Sequence, residues 1–331
     1  MTKIIPLGLA SLFAALLVTG PLQGASATLR KVTTLDLPAD GQGLVDHMIP
    51  DPAHHRLYAG HYSSNQLVVI DTVTNRIVAK IGNLKGVRSI ALVPALRRGF
   101  STNRGEDTIG IIDLKSNRLL RRIRAGHEPN TALYDPHSGL VYVGNKAGHT
   151  ATLIDPKTEK IVATVPLGGT AEYCRVDPQT HLIYQNVGSA SEVLAIDPRS
   201  AKVVGHYPVG PGQDPAGLAL DARHGRLFVG CGNEKLLVLD RDTGKVITTL
   251  PTGRGGDFTG YDAQLRRIFV PNGDSATLTV IQQEGANRYR VLENFSTHPT
   301  AARLALDEET HRIYLVYSAH GAAHIDVLQA R

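Results

Sequence analysis

Hydrophobic and polar positions recur along this chain at a fixed interval. A dipeptide of Ile or Leu followed by Asp appears as Ile70-Asp71, Ile112-Asp113, Ile154-Asp155, Ile196-Asp197 and Leu239-Asp240. A degenerate copy follows at Ile281-Gln282, and Ile325-Asp326 is the last. The spacings are 42, 42, 42, 43, 42 and 44 residues, a period typical of propellers and solenoids. Each interval holds four short apolar runs. In one repeat the first run ends at Leu218-Ala219-Leu220-Asp221, and the second is Arg226-Leu227-Phe228-Val229-Gly230. The third ends at Leu239-Asp240, and the fourth is Lys245 to Leu250 after the turn Arg241-Asp242-Thr243-Gly244. Runs of this length bounded by Gly, Asn, Asp and Pro predict strands and hairpins. The 3.6-residue periodicity of a helical solenoid is missing. The pattern therefore predicts an all-β, seven-bladed β-propeller with four-stranded blades.

The chain ends predict how the ring closes. The last repeat reaches Arg331 after three strands, while Arg30-Lys31-Val32-Thr33-Thr34-Leu35 mirrors the fourth-strand run Lys160 to Val165. The N-terminal strand is thus expected to complete the last blade, which removes the longest open sheet edge. Residues 28–331 then form one propeller domain. Ahead of it, Lys3, the apolar stretch from Ile4 to Val18 and Ala25-Ser26-Ala27 read as a cleavable secretory signal over residues 1–27. Gly20 and Pro21 interrupt that stretch before the roughly 20 residues a membrane span needs. No later segment approaches that length, so the mature chain is expected without a transmembrane segment, in the periplasm or secreted, and as a monomer.

The blade pattern resembles the YVTN-repeat β-propellers, exported proteins named for a second-strand tetrapeptide. That tetrapeptide is degenerate here, as Leu57-Tyr58-Ala59-Gly60, Val141-Tyr142-Val143-Gly144 and Ile268-Phe269-Val270-Pro271. Val209-Gly210 ahead of Pro215, Asp221 closing the first strand, and Val238 to Val246 follow the consensus closely. The resemblance extends from about Thr28 to Arg331. It implies the fold and leaves the activity open, because the family includes proteins without known catalysis beside relatives of quinoprotein dehydrogenase subunits.

Composition narrows the function. The chain has no Trp and only 5% aromatic residues, which disfavours an aromatic cage or a stacking platform for carbohydrate or nucleic acid. Net charge is +5, with Lys and Arg scattered over the turns; nucleic acid is not an expected partner without a basic stripe and interleaved aromatics. Two cysteines, Cys174 and Cys231, are too few for a disulfide framework and are expected as free thiols, although an exported location permits a bridge.

Candidate site residues follow from the alignment of repeats. In a propeller, the loops entering the first strands meet those joining second to third strands on one face. The first-strand mouth positions include Asp46, His47, Arg88, Asn130, Glu172, Tyr173, Asp257 and Arg303. This ring varies from blade to blade while the scaffold positions repeat, as a site built on a symmetric frame requires. A wide, merely wet channel mouth would also be polar. His47, His61, His298 and His320 fall on the same face in the first and last blades, and with Asp46 offer ligands for a divalent metal ion such as zinc or copper. Six other histidines, His54, His55, His137, His181, His224 and His311, fall in turns on the opposite face. No nucleophile elbow, phosphate loop or Cys-x-x-Cys is present. The expected function is a non-catalytic binding module for a small polar ligand, peptide or partner protein. A metal-assisted, lactonase-like hydrolase on the same face stands second, and an accessory subunit of a periplasmic redox system third.

Overall fold

In five of the seven repeats the aspartate of the dipeptide ends a strand because its carboxylate folds the chain back on itself, whereas Gln282 and Asp326 lie inside the longer strands Thr277–Gly285 and Ala322–Ala330. Asp71 Oδ1 accepts the amides of Val73 and Thr74 and the Thr74 hydroxyl at 2.8–3.1 Å, and Oδ2 accepts from Arg56 on the preceding strand. Asp113 repeats this with Lys115, Ser116 and Arg98, as does Asp240 with Thr243 and Arg226. These are Asx turns. The Thr74 amide and hydroxyl hold the Asp71 carboxyl below its usual range, and those of Ser116 do so for Asp113. Their contribution to stability is present above the ordinary carboxylate pKa and is lost as pH falls through the lowered one. Asp135, Asp177, Asp262 and Asp307 close first strands with the same kind of turn.

The computed structural model describes Met1 and residues 28–331; the predicted signal segment otherwise lies outside the described residues. Twenty-eight described strands, β1 to β28 in chain order, form seven antiparallel four-stranded sheets. The first blade is β2 (Met48–Asp51), β3 (Arg56–His61), β4 (Gln66–Asp71) and β5 (Arg76–Ile81). The last is β26 (Arg303–Asp307), β27 (Arg312–Ala319), β28 (Ala322–Ala330) and, on its outer edge, β1 (Leu29–Asp36). The predicted closure is observed, with Leu29 opposite Ala330 and Asp36 opposite His324. The core lies between neighbouring blades. At the closing seam, Leu57, Val68 and Ile70 of the first blade pack with Tyr314, Ile325 and Val327 of the last, all essentially unexposed. Among the described residues no helix is long and apolar enough to cross a membrane.

The outer strands share a feature that explains their exposed aliphatics. In each blade the register slips by one residue along the outermost pair, and the extra residue is Val78, Leu120, Val162, Val204, Ile247, Leu292 or, in β1, Val32. Five of these seven are among the few large apolar side chains that are exposed, such as Val204 at 56%. A bulge bends an edge strand and disrupts its ladder, which blunts sheet-to-sheet association.

Glycine decides how closely two blades approach at the site. The Gly60 amide donates to the His47 carbonyl at 3.0 Å, and the His47 amide donates to the Arg88 carbonyl of the next blade at 3.1 Å. A Cβ at Gly60 would lie 2.4 Å from that Arg88 oxygen. Backbone cannot move aside as a side chain can. Gly60→Ala is expected to cost about 1–3 kcal/mol, the usual size of an overpacking defect, read as a shift of the urea midpoint at constant m.

Candidate functional site: a polar funnel above an aromatic floor

Strand register makes the channel comparable blade by blade. Five residues before the position that closes each first strand stand Asp46, Arg88, Asn130, Glu172, Ala216, Asp257 and Ala302. The next position holds His47, Ser89, Thr131, Tyr173, Gly217, Phe258 and Arg303. The first strands and the loops entering them bring ten of these fourteen positions to the channel mouth, and Ser89, Thr131, Gly217 and Ala302 are the ones that do not line it. All eight residues expected from the sequence as ligand-binding line one small cavity of about 70 Å3 there, together with Arg104, Lys146 and Phe258.

Charge in this funnel is arranged around Asp46. Its carboxylate accepts from Arg88 Nη1 at 2.8 Å and from Arg303 Nε at 3.1 Å, so one buried anion ties the first blade to both neighbours. Arg303 also pairs with Asp257 at 2.5 Å. Opposite, Lys146 Nζ lies 2.7 Å from Glu172, and Arg104 pairs with Glu128. The Arg88 guanidinium sits 3.7 Å over the Tyr62 ring. Asn130 Nδ2 donates to the Ala171 carbonyl of the next blade at 3.4 Å.

Protonation states follow from burial and these neighbours. Burial opposes the Asp46 charge, yet His47 in its protonated form, Arg303 and Arg88 hold its carboxyl far below the usual range. Burial pushes the His47 imidazole down, aided by Arg303 and Arg88 against the pull of Asp46 and Asp257. His47 is therefore neutral near pH 7, and the two guanidiniums carry the stabilisation of Asp46. Glu172 moves the other way: burial raises it, with Asp257 and Asp214 adding to the effect and Lys146 opposing it.

The funnel has an aromatic floor. His47 meets Tyr173 edge-on at 5.1 Å between ring centroids and Phe258 at 5.9 Å, and Tyr173 meets Phe258 at 4.3 Å. Two buried nitrogens of the funnel walls, His47 Nδ1 and Arg88 Nε, have no hydrogen-bond partner. A buried donor or acceptor left unmade costs about 1–3 kcal/mol, so such atoms mark where a ligand or water belongs.

The four histidines expected as metal ligands are not brought together. His47 belongs to the aromatic floor. His61 is fully buried with Nε2 3.3 Å from Asp40. His298 stacks on Tyr317 at 3.9 Å between centroids, and His320 occupies the turn between β27 and β28. Among the described residues no three His, Cys, Asp or Glu side chains are grouped to hold a metal ion. The reason lies in the ring: side chains on equivalent loops of adjacent blades diverge unless both point to the axis, and of the four only His47 lines the funnel cavity. On the opposite face, His54, His224 and His311 pair with Asp51, Asp221 and Asp262, while His137 stacks on His181 at 3.4 Å. Cys174 and Cys231 are free and buried, and burial pushes their thiols up to about 11 and about 12.

Phe258 and Tyr62 carry the site without having been expected in it. The alignment places Phe258 level with Tyr173 and His47, a signal present in the sequence. Tyr62 follows the second strand, and only the fold lays Arg88 across it. A raised carboxyl pKa carries its own test. An ionised Glu172 is disfavoured in the folded state at neutral pH, and that penalty disappears as pH falls through its raised pKa. Glu172→Gln is therefore expected to melt at or above the wild-type temperature at pH 7, with the gap narrowing on acidification. A variant clearly less stable at pH 7 would show that the Lys146 pair outweighs burial.

Fold and site together define a seven-bladed β-propeller with a charged funnel at one mouth of its channel. No family model matches the chain, and no curated protein matches it in sequence. Its fold matches 1764 chains of solved structures, a breadth that ties the architecture to no single activity. One is a chain of the hydrazine synthase of Kuenenia stuttgartiensis, with a TM-score of 0.75 over 92% of this chain and 98% of that one. At 14% identity the likeness is one of fold.

Proposed function

We propose that this chain is an exported propeller of the YVTN-repeat kind, working as a monomer in the periplasm or outside the cell. Its funnel binds a small polar ligand, or the end of a peptide, through one charged group. The observation that carries this reading is the asymmetry of the mouth ring. Seven equivalent positions hold Asp, Arg, Asn, Glu, Ala, Asp and Ala, although the frame around them repeats. A residue serving only the frame would repeat with it.

The size and chemistry of the cavity support one charged group rather than a large ligand. About 70 Å3 is room for a few waters or one carboxylate-sized group. Arg88, Arg303 and Lys146 present cations, and the ion pairs already formed would exchange partners with an incoming anion. Retaining Glu172 in a site that disfavours its charge fits a binding role, since such sites commonly give up stability. No group here forms the nucleophile-and-base pair that covalent catalysis requires.

The test is thermal-shift screening of the purified chain with amino acids, dicarboxylates and short peptides, followed by calorimetry on any hit. Binding is expected to weaken at least tenfold in Arg88→Met and in Lys146→Met, each of which removes a cation that an incoming anion would pair with. Hits that bind both variants as tightly as wild type would sink the funnel as the site.

A further inference from the structure

We infer that the lower half of the channel, on the other side of the aromatic floor, is a second binding site that takes an apolar monoanion: an aliphatic or aromatic body ending in a carboxylate or sulfonate. Beneath Tyr173 and Phe258 the channel widens into two cavities, of about 530 Å3 and about 440 Å3, that share Ile49, Pro50, Tyr173, Arg175 and Val176. Each falls within the range of small-molecule sites, roughly 300–1,000 Å3. The walls are apolar by repetition. One residue before the closing position stand Pro50, Leu92, Tyr134, Val176, Leu220, Tyr261 and Leu306, and all but Tyr261 remain half-buried. These side chains line the two cavities, and Leu92, Tyr134, Val176, Leu220 and Leu306 also rest against the core between blades.

One charge breaks this wall. Two residues before the closing position the other blades hold Ile49, Ala91, Leu133, Ala219, Gly260 and Ala305, whereas β14 (Ala171–Val176) holds Arg175. Its guanidinium lies 4.2 Å over the Tyr173 ring and donates to the Cys174 carbonyl at 3.2 Å. Among the described residues it forms no ion pair. Arg223, on the rim of the larger cavity, likewise forms none. Of the carboxylates at the cavities, Asp221 is engaged by His224 and Gln283, and Asp51 by His54. Glu308 and Glu309 remain, on the turn after β26 at the mouth, and Glu308 feels the charge of Arg175 without forming an ion pair with it. A guanidinium set within an apolar wall fits a ligand whose body fills the cavity and whose anionic end reaches Arg175.

This site is separate from the funnel, and its test does not depend on the funnel's ligand. The probe is 8-anilinonaphthalene-1-sulfonate, titrated into native protein and followed by its fluorescence. Saturable binding near one equivalent is expected, displaced by decanoate and not by decyltrimethylammonium. Arg175→Leu is expected to weaken it about tenfold or more, the size of one charge-assisted hydrogen bond, while Arg118→Leu on the outer surface leaves it unchanged. Should Arg175→Leu not fold, Leu220→Glu places a like charge on the half-buried wall and is expected to weaken binding as strongly. Absence of saturable binding, equal affinity in a folded channel variant, or equal displacement by the cationic amphiphile would each overturn the assignment.

Discussion

Arg241→Met is expected to lower folding stability by about 3–5 kcal/mol, the cost of removing one partner from a buried ion pair. Arg241 follows the repeat dipeptide Leu239-Asp240, yet its guanidinium crosses to the preceding blade. There Nη1 donates to Asp177 Oδ2 at 2.9 Å and to Gln179 Oε1 at 3.1 Å, and it makes a longer contact to the Ala222 carbonyl of its own blade. The Asp177 side chain is 0% exposed. Without the guanidinium its carboxylate keeps the Gln179 amide and the Thr180 hydroxyl and loses the countercharge. Methionine fills much of the same volume, so the loss is electrostatic and not a cavity. Asp177→Asn in the Arg241→Met background should therefore recover part of it, because an amide still accepts from the turn without a buried charge. Urea unfolding of the two single variants and the double variant measures this coupling. A single-variant loss below 1 kcal/mol would show that water takes the place of the guanidinium.

Removal of residues 28–36 is expected to abolish cooperative folding of the ring and, with it, the monomer proposed above. Strand β1 pairs with β28 along its whole length, and side chains fasten it as well. Asp326 accepts from Thr34 at 2.7 Å and meets Lys31 at 2.7 Å, while His324 pairs with Asp36 at 2.7 Å. Burial of Leu29 and Leu35 contributes about 3–6 kcal/mol by itself. Without β1, the edge of β28 is open to pairing with another chain. The shortened protein should run as dimers or larger species in size exclusion, and a synthetic peptide of residues 28–36 should restore the monomer. A shortened monomer with an unchanged melting temperature would mean that the ring holds by packing between blades alone.

How much of this was legible in the residues themselves differs between frame and site. Strand identity depends on local alternation and on turn residues, so the second-strand run read as Arg226 to Gly230 is observed as β19, Arg226–Cys231. The interval between these pairs counted the blades, because each marks a third strand and five of the seven end it with an Asx turn. The mirrored run Arg30 to Leu35 identified the closing strand for the same reason: a fourth strand has a recognisable composition wherever it stands in the chain.

The pairing of charges was not legible in that way. Asp46 meets Arg88 at a separation of 42 residues and Arg303 at 257, and no local rule says that the two converge on one carboxylate. Alignment could place all eight funnel residues at one mouth, because equivalent positions of a ring share a height along its axis. It could not say which of them point inward, which is why His61, His298 and His320 looked like partners of His47 and are not. The bulges that expose Val78, Leu120, Val162 and Val204 were likewise invisible, since a slip in register leaves the sequence pattern of a strand unchanged. Period and local turn chemistry thus specify the seven-bladed ring, while the funnel, its aromatic floor and the apolar chamber below it arise from the angle at which that ring brings distant side chains to a common axis.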